Sequence, residues 1–195
     1  MSGKQSSLFP NASKPSNTLN VLQGLDRAEV EPLGIMISHV LGAFCDRILF
    51  AGSLRRGKNV VNDLDFVVLP KILPPGCWVN MLKALRKDFD AVTQKQGDKL
   101  ATLYLPFSSL KQGPGHIQVD FYRADASTWG ILLLVRTGSK EHNVKLCNLA
   151  IQKGLRLQYS VGLTDRSGRV VAGRTEEEVF HALGLPYIDP KDREV

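Results

Sequence analysis

The sequence predicts an α+β fold in two parts. Three observations carry that expectation. Residues 64–69 and 116–122 are β-branched or strictly alternating, residues 27–44 place apolar side chains at helical spacing, and past residue 125 the pattern changes to short, mixed elements. Residues 1–20 are rich in Ser, Asn, Lys and Pro without periodicity and are expected to form a flexible tail. In the 27–44 helix the repeating positions are Val30, Leu33, Ile37, Val40, Leu41 and Phe44, with Pro32 expected in the first turn, where its missing N–H costs little. Residues 47–51 read as a short strand ending at Gly52-Ser53, and residues 64–69 as a second strand halted by Pro70. After a Pro-rich turn at 73–76, residues 78–89 predict a helix, and residues 91–107 two strands about a Gly97-Asp98 turn. Residues 116–122 predict a half-buried strand with Ile117, Val119 and Phe121 on one face. Beyond residue 125 come a helix over 139–153 stopped by Gly154, small strands around 155–164 and 170–171, a short helix over 176–183, and an ordered closing segment. The organisation expected is a tail at 1–20, a first lobe at 21–125 and a second lobe at 126–195.

Composition narrows the function classes. The chain has 195 residues, 43% of them hydrophobic, enough for a sizeable core. Lys and Arg number 25 against 19 Asp and Glu, a formal charge of +6 that suits a polyanionic partner without requiring one. Cys45, Cys77 and Cys147 are few and scattered, which argues against a disulfide scaffold and for a reducing, intracellular setting. No CxxC or Cys/His cluster suggests structural zinc. The N-terminus carries no signal-peptide pattern, and runs such as 131–135 are too short to span a bilayer.

The chemistry concentrates in GSLRRGKNVVNDLDFVV, residues 52–68. Residues two apart in a strand share a face, so Asp63 and Asp65 point together while Leu64 and Phe66 point the other way. Asp120 stands in the same relation to Val119 and Phe121. If the two strands are neighbours, three carboxylates converge on one sheet face, an unfavourable cluster unless cations occupy it. Such oxygen ligands suit Mg²⁺, and a pair of ions about 3.5–4 Å apart would clamp an in-line phosphoryl displacement. Gly52 allows close backbone approach, Ser53 offers a hydroxyl, and Arg55 and Arg56 offer charged forks to an anion. Each piece alone is commonplace: a lone DxD is most often a surface feature, Gly-Ser a turn, Arg-Arg a solvated face. Together, in this order, they suit a nucleoside triphosphate with its Mg²⁺.

GSLRRG followed by DLD resembles the nucleotidyltransferase signature of the family X DNA polymerases, the group of DNA polymerase beta. HIQVDFY resembles the strand of the third carboxylate. RTGSKEHN, GLRLQYSVGL, VAGRTEEEVFHALGLPYIDP and PKDRE are similar to the C-terminal subdomain of that family, so the likeness runs from about residue 25 to 195. The resemblance implies a nucleotidyltransferase palm, a mixed β-sheet with helices on one face, followed by a small α+β C-terminal thumb that binds the nascent base pair. It implies two Mg²⁺ ions, with Mn²⁺ able to substitute, held by Asp63, Asp65 and Asp120. Asp120 would also help deprotonate a primer 3′-hydroxyl that attacks the α-phosphate and expels pyrophosphate. Gly52, Ser53, Arg56 and, less directly, Arg55 would hold the triphosphate. Thr137 and Gly138 would lie under the sugar and base, and Asn143 would reach the minor-groove edge of the base.

Several positions depart from the family's pattern. Val135-Arg136 replaces a frequent Tyr-Phe in the segment with which the family excludes ribonucleotides, and Arg136 either stacks on a base, pairs with a phosphate or is simply solvated. Cys147 falls where relatives carry an arginine near the templating base, and Gln118 replaces an often basic residue. The lyase, helix-hairpin-helix and nuclease modules of larger members are not expected, which is the minimal two-lobe form of compact viral members. His116 and His142 are expected to be structural or surface residues, Trp78 and Trp129 packing anchors, and Lys140, Lys145 and Lys153 either a phosphate-tracking stripe or a solvated face. The expectation is a monomeric, soluble, intracellular DNA-directed DNA polymerase, of cytoplasm or nucleoid and compatible with a viral or phage source, using dNTPs on primer-template or gapped DNA in short-gap repair without any membrane. The alternative is a template-independent terminal transferase or another nucleotidyltransferase acting on RNA or a small acceptor.

Overall fold

The computed structural model describes residues 19–194, so the expected tail lies almost wholly outside the described residues. The fold is mixed α and β throughout. Strands β2 (Cys45–Phe50), β4 (Asp63–Pro70), β5 (Val92–Gln96), β6 (Leu100–Ser109) and β7 (Gly113–Arg123) form one sheet in the order β2-β4-β7-β6-β5. All its pairings are antiparallel except β4 with β7, which is parallel. A separate two-stranded ribbon, β1 (Leu25–Asp26) with β3 (Val60–Val61), ties the chain ahead of α1 to the loop entering β4.

The alternation along β4 sorts its side chains between two environments. Leu64, Phe66 and Val68 are fully buried against α1 (Arg27–Leu41) and α3 (Cys77–Asp88), through Val30, Ile37, Leu41, Met81, Leu82 and Leu85. Phe66 stacks on Phe121 of β7 with ring centroids 5.4 Å apart. Val67, on the opposite face, meets Ala51, Trp129, Leu132 and Leu133, the last three from α4 (Trp129–Thr137). Pro32 sits in the second turn of α1 rather than the first, because the helix begins at Arg27.

The second lobe comprises α4, α5 (Lys140–Gln152), a small antiparallel sheet in the order β10-β9-β8 (β8 Arg156–Gln158, β9 Gly162–Thr164, β10 Val170–Ala172), α6 (Glu176–Ala182) and a 3-10 turn at Pro190–Asp192. Its core joins Ile131, Leu134, Leu146, Leu163, Val179 and Phe180. Local sequence chemistry sets the helix starts: Ser139 Oγ accepts the His142 N–H, and Thr175 Oγ1 accepts the Glu178 N–H. The helix α4 has no counterpart in the sequence expectation. Its run WGILLLV is apolar all round because one side, Ile131 and Leu134, enters the second core while Trp129, Leu132 and Leu133 pack on the first lobe's sheet. A helix buried on both sides loses the amphipathic period by which it would be recognised.

The join between α4 and α6 admits no side chain at Gly130: a Cβ there would stand 2.1 Å from the Thr175 carbonyl carbon. Gly130→Ala is therefore expected to lower stability by about 2 kcal/mol, because backbone must move on one side or the other. Chemical denaturation followed by circular dichroism measures it, and an unchanged midpoint would contradict the packing described.

Candidate active site

The parallel register of β4 and β7 sets Asp65 opposite Asp120 and Asp63 opposite Gln118. Ligand oxygens of Asp63, Asp65 and Asp120 consequently lie within 4.8 Å of one another. Asp120 accepts hydrogen bonds from Thr102 Oγ1 on β6 and, at 2.9 Å, from Gln118 Nε2 on its own strand. These two donors fix the plane of its carboxylate. Among the described residues none of the three acids has a lysine or arginine in salt-bridge contact. Burial, reinforced by the charges of Asp63 and Asp120, pushes the Asp65 carboxyl up to about 7. Burial and Asp120 also raise Asp63, against the pull of the Arg56 guanidinium. Three crowded, partly buried carboxylates without a cation of their own fit a divalent metal site, and Mg²⁺-type oxygen ligation is the chemistry the donor set offers.

Beside the acids, the short helix α2 (Gly52–Arg55) follows β2 after Ala51. Gly52 has φ +55, and a Cβ there would stand 1.9 Å from Asp65 Oδ2, so only glycine lets the loop lie against the carboxylate. Ser53 Oγ is buried without a hydrogen-bond partner among the described residues, an orphan that a ligand oxygen would satisfy. Gly52, Ser53, Arg56, Arg136, Thr137, Gly138 and Asn143 all line one cleft of about 830 Å³. The cleft also contains Asp63 and Asp65.

The sequence-predicted residues do not all face that space in the same way. Arg55 does not line the cleft; its Nη1 donates to Thr137 Oγ1 at 2.7 Å and its two terminal nitrogens clasp Glu176 at 2.8 and 2.7 Å. Glu176, only 4% exposed, also receives the Arg193 guanidinium at 2.8 Å, and these two cations hold its carboxyl below the usual range despite burial. Asn143 uses Nδ2 on the Val135 carbonyl at 2.8 Å, leaving a buried, unpaired Oδ1. Arg136 is half-buried and has no ion pair among the described residues: its guanidinium lies 4.1 Å from the Tyr122 ring centroid and 5.1 Å from that of Tyr159. Cys147 borders the cleft. His142 is buried, and desolvation drives its pKa down to about 4. Lys140, Lys145 and Lys153 are exposed, as are most charges of α5.

Sequence reasoning missed Glu176, Arg193, Glu194, Thr102 and Tyr122 as contributors. Glu176, Arg193 and Glu194 stood inside the motifs TEEE and PKDRE, so their presence was visible, but partners 121 and 138 residues away were not.

A mixed sheet bearing three convergent acids beside a Gly-Ser turn, with a small mixed α and β lobe packed against it, is the architecture of a nucleotidyltransferase palm with an appended thumb. Residues 132–194 match the family model of the DNA polymerase beta thumb. Across 89% of the chain there is 29% identity to the DNA polymerase/3′-5′ exonuclease PolX of Bacillus subtilis and 28% to DNA polymerase lambda of Rattus norvegicus. A DNA nucleotidylexotransferase of Bos taurus is 26% identical over 86% of the chain. The chain spans 31%, 33% and 40% of these relatives' lengths, respectively. It is a relative of the family X polymerases, and its fold and sequence support a family X nucleotidyltransferase. No helix among the described residues is long and apolar enough to cross a membrane.

The raised carboxyls have a measurable consequence. The native state holds the Asp65 proton more tightly than an unfolded carboxyl of pKa about 3.9, so this group favours folding below about pH 4 and that contribution is lost as pH rises to about 7. Metal-free protein is expected to melt at falling temperature across that window, and Asp65→Asn to flatten the slope. Mg²⁺ added at pH 8 should raise the wild-type melting temperature and leave Asp65→Asn nearly unmoved; calorimetry showing equal Mg²⁺ shifts in both would contradict the site.

Proposed function

We propose that the chain transfers a nucleoside monophosphate from a dNTP to a DNA primer 3′-hydroxyl, releasing pyrophosphate, as a DNA-directed polymerase suited to short gaps. The observation that carries this reading is the meeting of Asp63, Asp65 and Asp120, the first two of which line a cleft that also holds Gly52, Arg56 and a buried Ser53 hydroxyl without a partner among the described residues. The relatives in three organisms that carry polymerase or nucleotidylexotransferase names support it.

Asp63, Asp65 and Asp120 would hold two Mg²⁺ ions, with Mn²⁺ as a substitute, and the ions when bound supply Lewis-acid stabilisation of the charge on the phosphoryl oxygens. Thr102 and Gln118 hold the Asp120 carboxylate in a fixed plane, and in this reading that carboxylate accepts the proton of the primer hydroxyl. Ser53 Oγ and Arg56 bind the triphosphate oxygens, and the Gly138 backbone with Thr137 forms the floor under the sugar. The Asn143 Oδ1 left unpaired is an acceptor for a base or sugar donor. Arg136, held over its two tyrosine rings, supplies a cation to the same nucleotide. The +6 charge supplies phosphate contacts along a DNA backbone. The chain acts as a monomer in this reading. A second reading, template-independent extension, is favoured by the nucleotidylexotransferase relative.

Primer extension with and without a complementary template, on one-nucleotide gaps and single strands, separates the two; extension only where a template is present supports the first. Asp120→Asn is expected to lower incorporation by about 10³-fold or more while DNA affinity changes less than about twofold. Equal loss of both in a gel-shift assay would remove Asp120 from the chemistry. DNA affinity itself should fall steeply from 50 to 200 mM salt, by at least about tenfold.

A further inference from the structure

We propose that Glu194 is a positioning residue for the triphosphate site: from the closing segment of the thumb it sets the orientation in which Arg56 of the palm faces the cleft. The proposal rests on the nucleotidyl-transfer reading above and names a residue that acts through Arg56.

Arg56 is the cation of the cleft wall beside Ser53, near enough to Asp63 for its charge to act on that carboxyl. A guanidinium carries five N–H donors in a rigid plane, so fixing two of them fixes the direction of the rest. Here Nε donates to Glu194 Oε1 and Nη1 to the Thr137 carbonyl oxygen. Nη2 has no acceptor among the described residues and is left for a ligand. The second carboxylate oxygen of Glu194, Oε2, takes Lys58 Nζ at 2.9 Å, so the carboxylate itself is held between two palm cations.

Glu194 does not border the cleft, whereas Arg56 does. The carboxylate therefore stands behind the guanidinium and out of the path of an incoming phosphate. A competing carboxylate would occupy the cleft side and would have to leave when the ligand arrives.

The backbone that carries Glu194 is anchored one residue earlier. Arg193 is fully buried, its carbonyl accepts Ser139 Oγ–H at 2.8 Å, and its side chain donates to the Ile188 carbonyl and to Glu176. The anchor ties the closing segment to the Gly138-Ser139 turn, whose Gly138 lines the same cleft next to the Arg56 guanidinium. Much of the rotamer freedom that an unanchored arginine would surrender on meeting phosphate is thus already lost on folding, which is how preorganisation raises affinity.

The test is a double-mutant cycle in the whole chain, reading the Kd of inorganic tripolyphosphate in Mg²⁺ by calorimetry and the Kd of duplex DNA in parallel. E194Q keeps size and removes charge; it is expected to weaken tripolyphosphate about tenfold and to leave DNA affinity within about twofold. R56A should weaken tripolyphosphate at least as much, and E194Q in the R56A background should add less than about twofold. E194D, with a shorter arm, should give an intermediate loss and serves where E194Q melts early. Unchanged or tighter tripolyphosphate binding by E194Q overturns the proposal, as does a penalty that persists in full without Arg56. Wild-type protein that fails to bind tripolyphosphate at all overturns the nucleotide reading and this proposal with it, whereas wild-type binding unaltered by E194Q overturns this proposal alone.

Discussion

The parallel pairing of β4 with β7 is the constraint on which the molecule depends. Its register sets Asp65 beside Asp120, and a slip of one residue would turn the acids toward α1 and α3 while exposing Leu64 and Phe66. Crowding three carboxylates is unfavourable, as the upward-shifted Asp63 and Asp65 show. The same strands offset that cost on their other face. Leu64, Phe66, Val119 and Phe121 have no exposed surface, and each such side chain contributes about 1.5–3 kcal/mol of burial. One period-two alternation thus supplies both the core that stabilises the sheet and the charge cluster that strains it.

The lobes are joined by two kinds of contact with different consequences. The apolar one, α4 against Val67 and Ala51, is nondirectional and fixes proximity. The polar one, Glu176 between Arg55 of the palm and Arg193 of the closing segment, is directional, since each guanidinium meets the carboxylate at 2.7–2.8 Å. Burying such a cluster gains little net stability, because desolvating the charges costs about as much as their attraction returns. Its consequence is orientational: Arg55 also holds Thr137 Oγ1, so the thumb wall of the cleft is referenced to the residue next to Arg56.

The palm was legible in the sequence because its elements are half-buried. Alternation in 116–122 and the DxD at the head of an apolar run mark faces, and faces are what a linear pattern can show. The strands themselves and the turn at Gly97-Asp98 follow from it, whereas the convergence of Asp63, Asp65 and Asp120 also needs β4 beside β7, which alternation alone does not dictate. Gly52 was legible as a close approach, although its neighbour, the Asp65 carboxylate itself, was not. What escaped has one cause in two guises. Helix α4 is enclosed on all sides and so carries no period, and Glu176 and Glu194 are charged residues whose meaning lies in partners more than a hundred positions distant on the other lobe. In one-dimensional sequence such residues look like any solvated acid or base.

Arg136 shows how far local chemistry can be rebuilt without moving the frame. Its stem continues α4, and Tyr122 follows Asp120 by two positions on β7, so the ring lies on the same sheet face as the three acids. A guanidinium 4.1 Å above that ring satisfies its charge through the π face and spares its in-plane donors. Two tyrosines therefore do for Arg136 what Glu176 does for Arg55, holding a cation in place, but without neutralising it. An arginine clasped by a carboxylate organises the protein around itself, whereas one clasped by rings keeps its charge for whatever enters the cleft. The two arginines of the opening motif and the one near the end of α4 accordingly differ in their surroundings: Arg55 is engaged in the lobe contact, while Arg56 and Arg136 both line the cleft.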